Sequence, residues 1–331
     1  MVHRIVIFAL SALVCLGSIH AREGRKQKVY EFNRRVDSVL LARYNKAGFD
    51  TMYVSRPDSR LTLTAKWNVT GARIGAKGKK DGNKFSSVMR AQYKSTVSLG
   101  VTYRGVSMNL SLNPAKMAGR YSDTEMSFGY YGRKFGFDVI YQKSNNFTGW
   151  YDYTGYPRTY LPNDILKLKT LNINGYFVFN NRKFSYPAAV NHTFIQKQSA
   201  GSFLLAVSAQ GQKGEVKEDG GVVFSMTNIG IGGGYGYNYV PAGGWLIHLS
   251  ATPTIIVYSK TSLSLRGEKV PMKYHFPEVI ISGRISILRQ VRNLIYGITS
   301  MSTVTNIGTR SKLDVYNHKW TACFYLGLRL K

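Results

Sequence analysis

Cysteine is nearly missing from this sequence: only Cys15 and Cys323 occur in 331 residues. A chain so poor in thiols is not built on a disulfide framework. Acidic residues are scarce as well, 17 Asp and Glu against 45 Lys and Arg, which leaves a formal charge of +28. Beyond the N-terminus no run of about 20 apolar residues occurs, so a helical membrane span is not expected. His and carboxylate side chains are not grouped at ligand spacing on any one strand face, so neither a metal nor another cofactor is expected. In a cytosolic chain the charge excess would suggest nucleic acid. The first residues point elsewhere.

Met1-Val2-His3-Arg4 is a short basic start, Ile5 to Leu16 is an apolar core, and Gly17, Ser18 and Ala21 precede the charged run from Arg22 to Lys26. This is the layout of a secretory signal peptide over residues 1–21, cut after Ala21. The apolar core is short for a membrane anchor, and Val14 is too bulky for a lipoprotein signal ending at Cys15. Export leaves Cys323 as the lone thiol. It also removes nucleic acid as a partner and makes polyanionic lipid or glycan the expected one.

What fills the remaining chain is alternation. From Thr227 to Tyr258, Ile229, Ile231, Tyr235, Tyr237 and Tyr239 alternate with Asn and Gly. After Pro241-Ala242-Gly243-Gly244, the residues Trp245, Ile247, Leu249 and Ala251 alternate with Leu246, His248, Ser250 and Thr252. A side-chain period of two places each set on its own strand face, so the stretch predicts a long hairpin with an aromatic-rich turn. The same pattern recurs from Leu61 to the last residue and yields about twelve strands. Connections near 104–105, 132–134, 240–244 and 289–292 are tight, and those between are long, including the basic stretches 74–90 and 259–276. Sorted turns of this kind, without apolar 20-mers, predict an all-β, antiparallel transmembrane β-barrel of the Gram-negative outer membrane. A secreted, soluble β-rich binding protein is the alternative that alternation alone leaves open.

Residues 22–60 are expected to form a periplasmic segment ahead of the barrel at 61–331. Within it Val29, Phe32, Val36, Leu40 and Tyr44 carry the spacing of a short amphipathic helix. Residues 181–198 break the strand rhythm at a place where a short turn belongs. Pro187-Ala188-Ala189 there suits the first turn of a short helix ending near His192. The runs Asp50-Thr51, Tyr53-Val54-Ser55-Arg56-Pro57, Phe184 to Ala189 and Gln196 to Ser202 resemble an uncharacterised family of Gram-negative outer-membrane barrel proteins. The resemblance implies the fold and location over nearly the whole mature chain and lends no catalytic or ligand residue.

Inward positions of the expected barrel hold Lys66, Lys94, Glu125, Asp138, His248, Glu278, Arg284 and Arg329, either lining a path or cross-linking a filled lumen. Gly230, Gly232, Gly234 and Gly236 form a bare stripe on the same face, from strand curvature or as a seat for the N-terminal helix or a small-molecule ligand. Lys77, Lys79, Lys80, Lys84, Lys260, Arg266 and Lys269 are expected in external loops among lipopolysaccharide phosphates. The leading expectation is a channel, binding or structural role at the envelope. The alternative is a lipid hydrolase of the phospholipase or lipid A deacylase type, with His192, Ser199, Ser202 and His248 as its candidate residues.

Overall fold

A computed structural model describes residues 48–59, 61–80, 83–103, 106–112, 124–216, 222–265, 268–270, 276–309 and 313–330, with Glu31, Arg34, Arg35, Ser38, Val39, Leu41 and Ala42. Those seven positions are helical, whereas Val29, Phe32, Val36, Leu40 and Tyr44 lie outside the described residues, as does the expected signal peptide. Two compact units result, Met1–Gly48 and Phe49–Lys331. No helix among the described residues is long and apolar enough to cross a membrane.

In chain order the first elements of the larger unit are β1 (Val54–Ser55), β2 (Leu61–Lys80), β3 (Asn83–Ala91), β4 (Lys94–Tyr103), β5 (Val106–Leu112), β6 (Thr124–Tyr131) and β7 (Phe135–Ser144). β8 (Phe147–Tyr153), β9 (Thr159–Leu161), β10 (Leu166–Val178), α1 (Tyr186–Val190) and β11 (Ile195–Gln196) follow. The chain continues with β12 (Ala200–Val216), β13 (Val222–Tyr239), β14 (Trp245–Leu265), β15 (Glu268–Val270), β16 (Val279–Val291), β17 (Leu294–Thr309) and β18 (Leu313–Leu330). β2, β4, β5, β6, β7, β10, β12, β13, β14, β16, β17 and β18 pair in that order, each antiparallel to the next. β18 then pairs with β2 from Leu313↔Gly78 to Leu330↔Leu61, which closes a twelve-stranded barrel and leaves no edge in this ring.

The closure follows from the alternation. On β4 buried and exposed residues alternate strictly, with Val97, Leu99 and Val101 outside and Thr96, Ser98 and Thr102 inside. A polar face turned inward and an apolar face exposed is the reverse of a soluble core, and it is stable only against lipid. Aromatics gather at the short-turn end, where Phe177, Phe203, Tyr235, Tyr237 and Tyr239 point outward. At the other border of the apolar band Trp320 packs on Tyr93 with ring centroids 5.8 Å apart. The expected hairpin of β13 and β14 forms, pairing from Tyr239↔Ile247, and its turn uses Gly243 and Gly244 at φ +80° and +77°.

Past the Trp320 border several strands continue as a wet extension, and here the structure corrects the sequence reading. The stretch 74–90, expected as a loop, is a hairpin in which β2 pairs β3 from Arg73↔Arg90 to Lys80↔Asn83. Likewise β14 runs through Ser259 to Leu265 of the expected loop 259–276, and β8 and β9 form between β7 and β10. With water rather than lipid on their outer side, these strands carry no continuous apolar outer row, so the signal used to find strands is absent. β3 pairs β8, which pairs β9. Beneath them Phe147, Leu161, Ile165, Leu166 and Leu168 form a buried apolar cluster with Ala72, Ile74, Met89 and Phe224 packed against it.

Candidate functional site in the barrel lumen

The tight turns of most hairpins leave the inner end of a barrel open. Here residues 179–199 are far too long for a turn and fold back into it. Ser185 caps α1, its Oγ accepting from the Ala188 backbone N–H at 3.3 Å, and Pro187 occupies the first turn, where it has no N–H to leave unpaired. The short helix buries Pro187, Ala188 and Ala189. It ends at Val190 with Asn191 as its cap, and His192 just beyond is held at φ +59° with its backbone N–H donating to Pro187 O at 2.9 Å. Residues 49–57 join this plug: β1 pairs β11 through Val54↔Gln196, Phe49 packs edge-on to Phe194, and the Lys197 N–H donates to Tyr53 O at 2.7 Å. The runs on which the family resemblance rests therefore converge in one small body at one end of the barrel.

Gln196 is the keystone. The two hydrogens of its Nε2 go to Lys183 O at 2.7 Å and Gln198 O at 2.9 Å, with Tyr53 O beside them at 3.4 Å. Its Oε1 must then be the acceptor for Ser185 N–H at 2.9 Å and Asn238 Nδ2 at 3.0 Å. Asn238 Nδ2 donates to Ser185 O as well, at 2.9 Å. Asn238 Oδ1 consequently faces His248 Nδ1 at 2.7 Å, which fixes the proton on Nδ1. His248 Nε2 is left bare and accepts from the Ser250 hydroxyl at 3.0 Å. An oriented chain thus runs from the plug across the barrel wall to a serine, and all of its side chains are buried.

Ser250 and Arg284 face each other in the β14–β16 pairing, and both line a lumen cavity of about 170 Å³. The floor is Tyr186 of α1, whose ring lies 4.6 Å from that of Tyr176 and 5.4 Å from that of His248. Arg284 sits over the same ring at 5.8 Å. Asp138 is held by Asn174 Nδ2 at 2.9 Å, and Thr170, Ser208 and Gln210 complete a polar wall. The apolar cluster around Phe147 and Leu168 bounds the cavity at its other end.

The candidate residues separate by role. Lys66, Lys94, Asp138, His248, Glu278, Arg284 and Arg329 fall on the inward parity. Lys66 Nζ donates to Asn109 Oδ1 at 3.2 Å, and Arg329 Nη2 donates to His192 O at 2.8 Å. The side chain of Glu125 lies outside the described residues. His192 is not joined to either serine proposed beside it: its Nδ1 meets Ala188 O at 3.1 Å and its ring packs on Tyr325. Ser199 accepts from Val240 N–H, and Ser202 accepts from Asn180 N–H while donating to Phe203 O, so both are fasteners of the plug.

The glycine stripe has two separate causes. A Cβ on Gly232 or Gly234 would collide with the backbone of β14 at Pro253 or Ala251, the close approach that strong curvature demands. At Gly236 it would lie 3.1 Å from the Phe184 ring, so that position seats the plug. Lys77, Lys79, Lys84 and Lys260 lie on the strand extensions rather than in loops, while the side chains of Lys80, Arg266 and Lys269 lie outside the described residues. Asn238 and Gln196 were missed in the sequence. Counting outward from a 240–244 turn would set Asn238 opposite Leu246, and only the observed register brings it to His248; Gln196 carries no signal of its own.

His192 also sets a pH limit on the plug. It is 4% exposed, and burial, then the charges of Lys66 and Arg329, depress its pKa from 6.5 to about 3. The seated plug holds neutral His192, whereas a released plug takes up a proton below pH ~6.5. Seating is therefore at full strength above ~6.5 and weakens by about 1 kcal/mol per pH unit as pH falls toward 3. Amide exchange at 184–198 measured at pH 7.5 and 5 should show faster opening at pH 5, with the difference reduced in His192→Asn.

A closed ring of antiparallel strands with an apolar outer band and a polar interior defines a β-barrel of the outer-membrane type. The chain belongs to the family described as Domain of unknown function (DUF4421), which matches residues 49–329, plug and barrel together. Similar solved structures include the translocator domain of the autotransporter NalP from Neisseria meningitidis, 8% identical over 92% of this chain and 98% of that one, with a TM-score of 0.32. The beta domain of the Bordetella autotransporter BrkA is 10% identical over 82% and 100%, with a TM-score of 0.34. The outer membrane protein OprG of Pseudomonas aeruginosa is 10% identical over 82% and 97%, with a TM-score of 0.28. No curated protein matches the sequence.

Proposed function

We propose that this protein is a plugged barrel of a Gram-negative outer membrane, and that its lumen is a closed chamber for a small polar ligand rather than an open diffusion path. The observation that carries this reading is Gln196, which fastens the plug to the wall and to itself through two donated and two accepted hydrogen bonds. Tyr176 OH, Thr170 Oγ1, Ser208 Oγ and Gln210 Oε1 line the cavity, are buried and have no protein partner, so the space suits a polar occupant. Short turns at the plug end and extended strands at the other orient the plug toward the periplasm. Lys77, Lys79, Lys84 and Lys260 would then stand among lipopolysaccharide phosphates, where cations are favoured. Ser250 and His248 face the lumen, so a diacyl lipid held in the membrane does not reach them.

Single-channel recording in planar bilayers tests the reading. The wild-type barrel should insert, verified by heat-modifiable migration, and remain electrically silent. Steady ohmic openings of the inserted wild type would overturn it.

A further inference from the structure

We propose that Ser250 is the nucleophile of an acyl-transfer site inside the chamber, with His248 as its base and Asn238 as the positioning residue. Nucleophile, base and orienting group each sit within hydrogen-bond reach of the next, at 3.0 Å and 2.7 Å. The same distances would arise in a purely structural network. What distinguishes this one is its enforced direction. Gln196 and Ser185 consume both donors of Asn238, so His248 has no choice of tautomer and presents its lone pair to the serine hydroxyl.

Two further features complete the geometry. Ser250 opens on the cavity, and Gly236, its partner on β13, places no side chain in the way. On the other flank Arg284 is the cation that can face a developing oxyanion. A cavity of about 170 Å³ admits a short-chain carboxylic ester and excludes a diacyl lipid.

The step balances without a cofactor. Ser250 Oγ bonds to the ester carbonyl carbon as its proton passes to His248 Nε2. The tetrahedral oxyanion faces Arg284, the bond to the alcohol oxygen breaks, and the alcohol leaves with the proton from His248. Water then repeats the sequence and releases the carboxylate, restoring the serine.

This inference rests on the chamber being reachable by small molecules, so the test separates the two. The refolded full-length protein is treated with diisopropyl fluorophosphate and, separately, with 4-nitrophenyl acetate. The expected result is a phosphoryl adduct on Ser250 by mass spectrometry and slow ester turnover, both lost in Ser250→Ala. His248→Gln should lower the labelling rate by roughly a hundredfold or more, and Asn238→Leu should lower it and move its pH profile while the barrel stays folded. Heat-modifiable migration confirms that each variant is folded. An unlabelled Ser250 in the wild type overturns the proposal. If Ser250→Cys is nonetheless modified by a small methanethiosulfonate, the chamber reading stands and only the nucleophile falls. If that cysteine is also untouched, both fall.

Discussion

Gln196→Leu turns a silent barrel into a conducting one. Leucine has nearly the volume of glutamine and none of its hydrogen bonds. Ser185 N–H and the carbonyls of Lys183 and Gln198 lose a buried partner at once, while Asn238 Nδ2 keeps Ser185 O and Tyr53 O keeps the Lys197 N–H. Each orphaned group costs about 1–3 kcal/mol, and even two or three such costs approach the whole stability of an ordinary domain. The barrel ring does not depend on these bonds, because its ladder closes through β18 and β2. The expected outcome is therefore local: heat-modifiable migration is kept, channel openings appear, and trypsin gains access at Arg182, Lys183 and Lys197. A variant that stays silent and protease-resistant would show that Gln196 does not hold the plug.

Ile285→Arg should be the most damaging single change on the outer wall. Ile285 lies midway along β16 and is 51% exposed, a position that in water would welcome a charge. Near the bilayer midplane an arginine instead costs about 2–4 kcal/mol. Thr303, on the chamber side of β17, should accept an asparagine at under ~1 kcal/mol, since the lumen is already polar and the side chain stays neutral. Denaturant titrations of the two variants in lipid vesicles give these differences directly. Equal, small effects would mean that the apolar face does not meet lipid, and the soluble alternative would regain its force.

The ring was legible because a barrel wall has two chemically opposite faces. Leu61, Leu63, Ala65 and Trp67 against Thr62, Thr64, Lys66 and Asn68 reveal both strand and orientation, and the tight links near 132–134 and 240–244 give the order. The wet hairpin of β2 and β3 was hidden by the same logic: Lys77, Lys79 and Lys84 beside glycine and serine look like a loop when neither face meets lipid. The segment 181–198 announced itself only as too long for a turn. What it does depends on contacts between residues far apart in the chain, Asn191 with Ser107 and Gln196 with Tyr53 and Asn238. No periodicity encodes such contacts. Similarly, His248-x-Ser250 was visible as a polar pair, and only the hairpin register added Asn238.

The seat of the plug is tested most directly by a short cross-link between Ser107→Cys in β5 and Asn191→Cys at the end of α1, with Cys323 replaced by alanine. The native side chains meet at 3.1 Å, Asn191 Nδ2 donating to Ser107 Oγ. A bifunctional methanethiosulfonate spanning about 5 Å should join the two cysteines within the folded protein, and the joined barrel should stay silent even when Gln196→Leu is added. A folded barrel in which these cysteines do not cross-link would contradict the plugged lumen.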